Sequence, residues 1–494
     1  MDVIQNFPFF SIFLPFSCGV ACILCRERLA RYISFFCLAA LAGLSASVLI
    51  YTLGTGGSFI FIMGHVPSPF ANEIRAGPLE SLMVLLFSML SILSLAGGHS
   101  DLKRDMDGKK INLYYLMFNL LAGAMTAVIY TNDFFTGFVF IEILTISVCA
   151  LIMAKPGGPT LSAAIVYLVM SLVSSSLILF SIAMIYGVTG QLLFPQIKMA
   201  VGVLAAQGDY TMPLFVFAGL CTLGFGIKIA LFPFHSWLPN AYTRATTTSS
   251  AIMAGFVTKG YVFFYIKVVY RLLGLPVMEH LGIPWILAAL GSAGIVYGSF
   301  KALGQKNTKK VLGYASIVQV GCFCLIMGLN YGEAYGALIF HMLVHALGKA
   351  MLFVSSAGLA GVSGYRSDYG SLRGAGRRDP LSAAAFGVAV LSMVGIPPFP
   401  GFFSKLYITQ ASVEHPLGVL VIFMVVIFST ILSAMYFFPP MGSILAKRED
   451  PPAFLPPPAH YRGALILFMA LTIGFSFFST EILLIIGRGL ASFG

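Results

Sequence analysis

Charge is what this chain has least of: 10% of its 494 residues are Asp, Glu, Lys or Arg, where a soluble domain carries about 25%. Water is therefore not its main solvent, and a freestanding soluble enzyme is excluded. No polar stretch is long enough to fold as a soluble domain, so no catalytic site is expected in this chain. Cysteine is present eight times but without the spacings that hold zinc, haem or an iron-sulfur cluster. Cys18, Cys22, Cys25 and Cys37 fall on the first two apolar runs, Cys322 and Cys324 share a later one, and Cys149 and Cys221 stand alone. Small buried hydrophobes explain them. Gly361, Gly364, Gly370, Gly374 and Gly376 form no dinucleotide or P-loop fingerprint, so neither ATP nor NAD is expected to bind, and no cofactor is assigned to this chain.

What fills the sequence instead is hydrocarbon, with 58% of residues hydrophobic. Runs of roughly 20 apolar residues, each long enough to cross about 30 Å of bilayer as a helix, recur from end to end. Spans are read at about 7–25, 32–54, 79–97, 112–130, 133–154, 160–187, 212–238, 247–272, 281–300, 311–329, 333–361, 381–409, 415–443 and 462–485. The fold class expected is an all-α integral membrane protein of about 14 transmembrane helices. Arg26, Arg28 and Arg31 follow the first run rather than precede it, so it reads as a retained helix and not a cleaved signal.

Orientation follows from the loops, because Lys and Arg accumulate on the cytoplasmic side. Positive charge clusters after the first, third, ninth, eleventh and thirteenth spans: Arg26, Arg28 and Arg31; Lys103, Arg104, Lys109 and Lys110; Lys301, Lys306, Lys309 and Lys310; Arg366, Arg373, Arg377 and Arg378; Lys447, Arg448 and Arg462. The other connections hold little beyond Arg75, Lys198 and Arg271. Both termini are thus expected outside a prokaryotic cytoplasmic (inner) membrane. The net charge of +11 is a consequence of topology and gives no support to nucleic-acid binding. The loops Arg366–Pro380 and Lys447–Arg462 are candidate docking surfaces for membrane lipids or soluble partners.

Subtracting the loop charges leaves Glu142, Lys228, Lys259, Lys349 and Lys405, with His341 and His345, at membrane depth. An ionised group at the bilayer centre costs at least about 2.5–3.5 kcal/mol, so such residues face protein or water and mark pathways. Burial also destabilises an ammonium, which lets lysine exchange protons near neutral pH. Glu142 suits either a structural ion pair with a neighbouring lysine or a proton site, and the two are compatible. Lys228 lies in Gly224-Phe-Gly226-Ile-Lys228-Ile-Ala-Leu-Phe-Pro233-Phe-His235-Ser-Trp237-Leu-Pro239, where two prolines predict an interrupted helix. Broken backbone at membrane depth is tolerated only against protein or a wet cavity, which favours a functional lysine over a snorkelling one. Trp237 reads as an interfacial anchor and His235 as structural or a minor relay.

The twelfth span repeats this in reverse order, Gly395-Ile-Pro397-Pro398-Phe-Pro400-Gly401-Phe-Phe-Ser404-Lys405. Spans four to eight and nine to thirteen make two five-helix units, and an odd number of crossings inverts the second relative to the first. Inverted repeats with breaks at matching places are a transporter signature. The chain divides into 1–111 (helices one to three), 112–272 and 281–443 (the two half-channel repeats, with helices 7 and 12 broken) and 444–494 (a loop and helix 14).

His341, His345 and Lys349 fall at i, i+4 and i+8, along one face of the eleventh span with rungs about 6 Å apart. Two histidines so spaced suit a metal as well, but no nearby Glu, Cys or third His completes a set, and proton relay or water ordering is the better reading. Tyr314, Ser316 and Gln319 on the tenth span are candidate extensions of a hydrogen-bonded chain, with interhelical glue as the alternative. Lys259, in Val257-Thr258-Lys259-Gly260, is read either as passing protons between the units or as neutralising a carboxylate.

Thr131-Asn-Asp133-Phe-Phe-Thr-Gly-Phe-Val-Phe-Ile-Glu142, with the stretches around Lys228, His341 to Lys349 and Pro397 to Lys405, resembles the antiporter-like membrane subunits of respiratory complex I, Mrp antiporters and membrane-bound hydrogenases. The resemblance covers roughly residues 80 to 440. It implies fourteen helices with two inverted half-channels, a Glu142–Lys228 proton-handling pair, a central connection through Lys259 and the His345 region, and Lys405 as exit-side group. It also implies partners: other antiporter-like and small membrane subunits and a redox arm carrying iron-sulfur clusters or NiFe, with H+ and Na+ as the candidate ions. Some complex I members carry glutamate at the Lys405 position, and others a histidine near Met253, which this chain does not. The sequence ends soon after its fourteenth span, so the long lateral helix of the largest complex I member is not expected. The chain is most similar to the Mrp D-type subunit or its hydrogenase or formate hydrogenlyase counterpart. The competing reading is a non-pumping scaffold that anchors a redox arm.

Overall fold

The computed structural model describes residues 3–66, 72–208, 210–447 and 457–493, and helices dominate them. In chain order they are α1 (Phe7–Leu24), α2 (Glu27–Thr55), α3 (Pro78–Asp105), α4 (Ile111–Tyr130), α5 (Phe134–Met153), α6 (Gly158–Thr189), α7 (Phe194–Gln207), α8 (Thr211–Lys228), α9 (Trp237–Arg244) and α10 (Thr247–Leu273). There follow α11 (Ile283–Leu303), α12 (Thr308–Met327), α13 (Gly332–Gly361), α14 (Pro380–Val394), α15 (Pro400–Ser412), α16 (Gly418–Leu445), α17 (Ala459–Phe477) and α18 (Ser479–Ala491). Thirteen helices among the described residues are long and apolar enough to cross a membrane. The fourteenth expected span, the twelfth in order, is divided into α14 and α15, each too short alone.

Side chains cap the helix starts where the chain turns. Asp133 accepts from Thr136 N at 2.6 Å, Thr246 from Ser249 N at 3.3 Å, Asn307 from Lys310 N at 3.3 Å and Asp379 from Ser382 N at 3.1 Å. Counting each broken helix as one crossing and leaving out α7, which is too short to cross, α4 to α10 make five crossings and α11 to α16 five more, with the break in the fourth of each.

The two breaks end their first helix alike. After α8, Leu231 N bonds back to Gly226 O at 2.8 Å and Ala230 sits at φ 62°. After α14, Ile396 N bonds back to Leu391 O at 3.0 Å and Gly395 sits at φ 90°. Each is a left-handed C-terminal cap, which satisfies carbonyls that the break would otherwise orphan. The Phe232–Pro233 and Pro397–Pro398 bonds that follow are cis.

Three elements escaped the sequence reading. A small antiparallel hairpin pairs Phe59–Ile62 with Glu73–Ala76, α7 packs on the last turns of α10, and the fourteenth span ends at Phe477 before a separate α18. Regular helix also gives way to π turns at Met253–Val257, Val268–Leu273 and Ile422–Phe428. The loop carrying Arg366 to Arg377 is tied down by Thr308 N to Ser367 O at 2.8 Å and Tyr369 N to Lys306 O at 3.1 Å. Arg378 at its end is buried rather than displayed. Arg448, in the other loop read as a docking surface, lies outside the described residues.

The most enclosed helices are α10 and α13, whose apolar windows are wholly buried inside the protein. They touch where Gly255 lets the backbones approach: a Cβ there would lie 3.1 Å from Ala346 O and from Ala350 Cβ. Lys259 stands one turn beyond Gly255, and His345 and Lys349 immediately precede Ala346 and Ala350. The close contact therefore sets these charges at the molecular axis, away from lipid.

Candidate functional site

In the first unit α5, α6 and α8 bring four polar side chains together. Lys228, the last residue of α8, has its ammonium 3.7 Å from Glu142 Oε1 and donates to Thr145 Oγ1 at 2.6 Å. Ser175 on α6 donates to the same Glu142 oxygen. Lys228 ends α8 inside the protein and is 1% exposed, against 30% for Glu142. The lysine does not snorkel.

Trp237 is no interfacial anchor either. Its indole donates to Ile227 O at 3.1 Å and packs edge-on to Tyr167 at 5.1 Å, so it closes the break from inside. His235 stacks on Phe232 and lies tilted against Tyr297, with ring centroids 5.5 and 4.4 Å away, and does not reach Lys228 by a hydrogen bond.

At the axis, Lys259 is buried and donates to Ala254 O within the first π turn of α10. No carboxylate among the described residues pairs with it, which removes the reading of Lys259 as a neutraliser. Facing it from α13 are His345 and Lys349. Neither ring nitrogen of His345 has a hydrogen-bond partner among the described residues, although the residue is buried. Lys349 donates to Leu312 O at 2.7 Å.

His341 is the best-connected member of the ladder. Its Nε2 meets Gln319 Oε1 at 2.8 Å and its Nδ1 meets Ser404 Oγ at 3.0 Å, which ties α13 to both α12 and α15. Those contacts occupy both ring nitrogens. Lys405, next to Ser404, donates to Val394 O at 2.7 Å and to Thr430 Oγ1. Of the other relay candidates on α12, Ser316 donates to Leu312 O in its own helix at 3.1 Å, and Tyr314 is half-buried beside Tyr297, away from His341.

The second lysine thus differs from the first. Lys228 has a carboxylate, and among the described residues Lys405 donates to a carbonyl and a hydroxyl and pairs with no carboxylate. Among the described residues no group of three or more His, Cys, Asp or Glu side chains gathers as a metal site.

The sequence reading passed over several buried polar groups. Lys267 lies eight residues beyond Lys259 on the same helix, fully buried, and donates to Ile129 O at 2.7 Å and Thr131 O at 2.5 Å. Arg75 and Arg271, taken as loop charges, are buried as well. Arg75 pairs with Glu80 and donates to Ser492 O at 2.5 Å, while Arg271 packs against Phe194 and Phe493. Lys267 carried a plain signal, a charge inside the eighth span. The hydroxyls of Thr145, Ser175 and Thr430 carried none.

The family model described as NADH:quinone oxidoreductase/Mrp antiporter, transmembrane, matches residues 131–433. NADH-quinone oxidoreductase subunit N of Desulforudis audaxviator is 31% identical over 88% of this chain and 85% of its own length. A protein named antiporter subunit mnhD2, from Staphylococcus epidermidis, is 27% identical over 88% and 84%. Among solved structures, a chain of an archaeal respiratory membrane complex, the membrane-bound sulfane sulfur reductase, superposes with a TM-score of 0.88 at 25% identity, covering 99% of this chain and 97% of that one.

Proposed function

Because the chain belongs to the NADH:quinone oxidoreductase/Mrp antiporter transmembrane family, we propose that it is a proton-translocating, antiporter-like subunit of a multisubunit membrane complex. The observation that carries this reading is the placement of Lys228 and Lys405: each is buried beside a capped break in the fourth crossing of its unit, with Lys259, His345 and Lys349 at the axis between. In this reading Glu142 and Lys228 load protons in the first half-channel. Lys259 and His345 connect the halves, and His341 links the axis to Lys405 at the exit.

Unit charges several Å apart at an effective dielectric of about 20 interact by a few kcal/mol, so a charge change at one site drives the next. The chain's own residues then pass protons, and the driving energy comes from a redox partner or an opposing ion gradient. Partner subunits would hold any iron-sulfur or NiFe centre. By the loop charges both termini lie outside the cytoplasmic membrane.

The test is ion pumping by the assembled complex in vesicles. Lys228→Ala and Lys405→Ala are each expected to abolish translocation while the complex still assembles. Unchanged pumping in either would remove that residue from the path and leave a scaffold role. Imposing sodium or proton gradients in the same vesicles identifies the ion.

A further inference from the structure

Two more polar atoms point at the Lys228 site. The Tyr261 side chain on α10 and the Tyr167 side chain on α6 are 1% and 2% exposed, and neither hydroxyl reaches hydrogen-bonding geometry with a protein atom. The Tyr261 hydroxyl neighbours Thr145 and Tyr167, and Tyr167 also neighbours Ser171. The Lys228 ammonium lies 5.9 Å from the Tyr261 ring centroid. A buried hydroxyl without a partner is destabilising, a cost that a phenylalanine of the same shape would avoid. Two such hydroxyls, side by side at a charged site, need a reason beyond packing.

Their positions supply a direction. Tyr261 and Lys259 are two residues apart on α10 and point to roughly opposite sides. Lys259 meets α13, and Tyr261 meets α5 and α6, so the tyrosine belongs to the first unit alone. Both α6 and α10 start on the membrane face where α5 ends. Tyr167 is nine residues into α6, about 13 Å from that face, and Tyr261 is fourteen into α10. Ser175, which meets Glu142, is eight residues deeper on α6 than Tyr167, so Tyr167 lies toward the face that the loop charges mark as cytoplasmic, while Tyr261 stands beside Lys228.

We propose that Tyr167 and Tyr261 are proton-relay residues joining the cytoplasmic side of the first unit to Lys228. The proposal rests on the function proposed above. When these neighbouring side chains close to hydrogen-bond distance, a proton reaching Tyr167 Oη releases that hydroxyl's own proton to Tyr261 Oη. The Tyr261 proton passes to Thr145 Oγ1, and the Thr145 proton to the neutral amine of Lys228. Three neutral hydroxyls and one ammonium result, no tyrosinate forms, and rotation of the hydroxyls resets the chain. Thr145 is then a relay member as well as the acceptor seen for the charged lysine.

The experiment uses the assembled complex in vesicles, with Tyr167→Phe, Tyr261→Phe and the double variant beside Lys228→Ala. Tyr→Phe keeps the ring and removes only the hydroxyl. Each Phe variant is expected to slow translocation about tenfold or more. The double variant should be no slower than the worse single one, because the hydroxyls act in series, and the melting temperature should hold or rise. Full rate in both Phe variants, with Lys228→Ala inactive, overturns the tyrosine relay alone. Full rate in all of them overturns the Lys228 path with it. A rate loss that tracks a fall in melting temperature assigns the hydroxyls to packing and also overturns the relay.

Discussion

At the residue scale the Glu142–Lys228 pair is lopsided: the ammonium is closed off and the carboxylate is partly open. Removing the carboxylate should therefore hurt more than removing both partners, because a buried charge left alone is worse than none. Glu142→Gln is expected to lower stability by about 1–2 kcal/mol, allowing for Glu142's exposure, and Lys228→Met added to it should restore part of that loss. Thermal unfolding of the purified complex measures both, and a double variant melting below Glu142→Gln would deny that the two are coupled. In the second unit, Gln319→Leu strands His341 Nε2 and is expected to cost roughly 1–3 kcal/mol and to slow translocation, read in the same two assays. Lys228, Lys259, Lys349 and Lys405 were legible in the sequence because hydrocarbon penalises such charges so heavily. Hydroxyls were not, since Thr145, Ser175 and Tyr261 look like ordinary members of apolar helices until their neighbours are known. Arg75 was misplaced for a related reason: hydropathy put it outside the bilayer, where the fold still buries it beside Glu80.

At the element scale the prolines announced both interrupted helices, and Gly395 before Pro397-Pro398 marked where one of them turns. Ala230 gave no such mark, because a left-handed alanine is visible only in backbone angles. The two caps predict opposite responses. Gly395→Ala meets a forbidden φ and would place its Cβ 2.9 Å from Lys405 Cδ, so a loss of about 1–2 kcal/mol with slowed translocation is expected. Ala230→Gly relieves the same strain and should leave melting unchanged or raise it. Destabilisation by Ala230→Gly would mean that the alanine methyl matters more there than the backbone. The π turns left no trace in the apolar pattern, since one extra residue barely shifts a helical period. The hairpin and α7 were too short for a reading tuned to membrane crossings.

At the scale of the whole molecule, the family and the all-α membrane fold were legible because their motifs are spread along much of the chain. Which helices stand at the axis was not, because α10 and α13 are as apolar as helices that face lipid, and only packing distinguishes them. Topology gives a direct check. With the native cysteines replaced, a cysteine at Arg373 should react with an impermeant maleimide in inside-out vesicles only, and one at His415 in right-side-out vesicles only; the reverse pattern would invert the orientation. The central claim is that the two units form one path joined at the axis, and Lys259 is where that claim is most exposed. Proton translocation by the assembled complex carrying Lys259→Met is the decisive measurement. The expected result is a loss as complete as that from Lys228→Ala or Lys405→Ala. Translocation at the full rate through Lys259→Met, with both of those variants inactive, would contradict a single joined path.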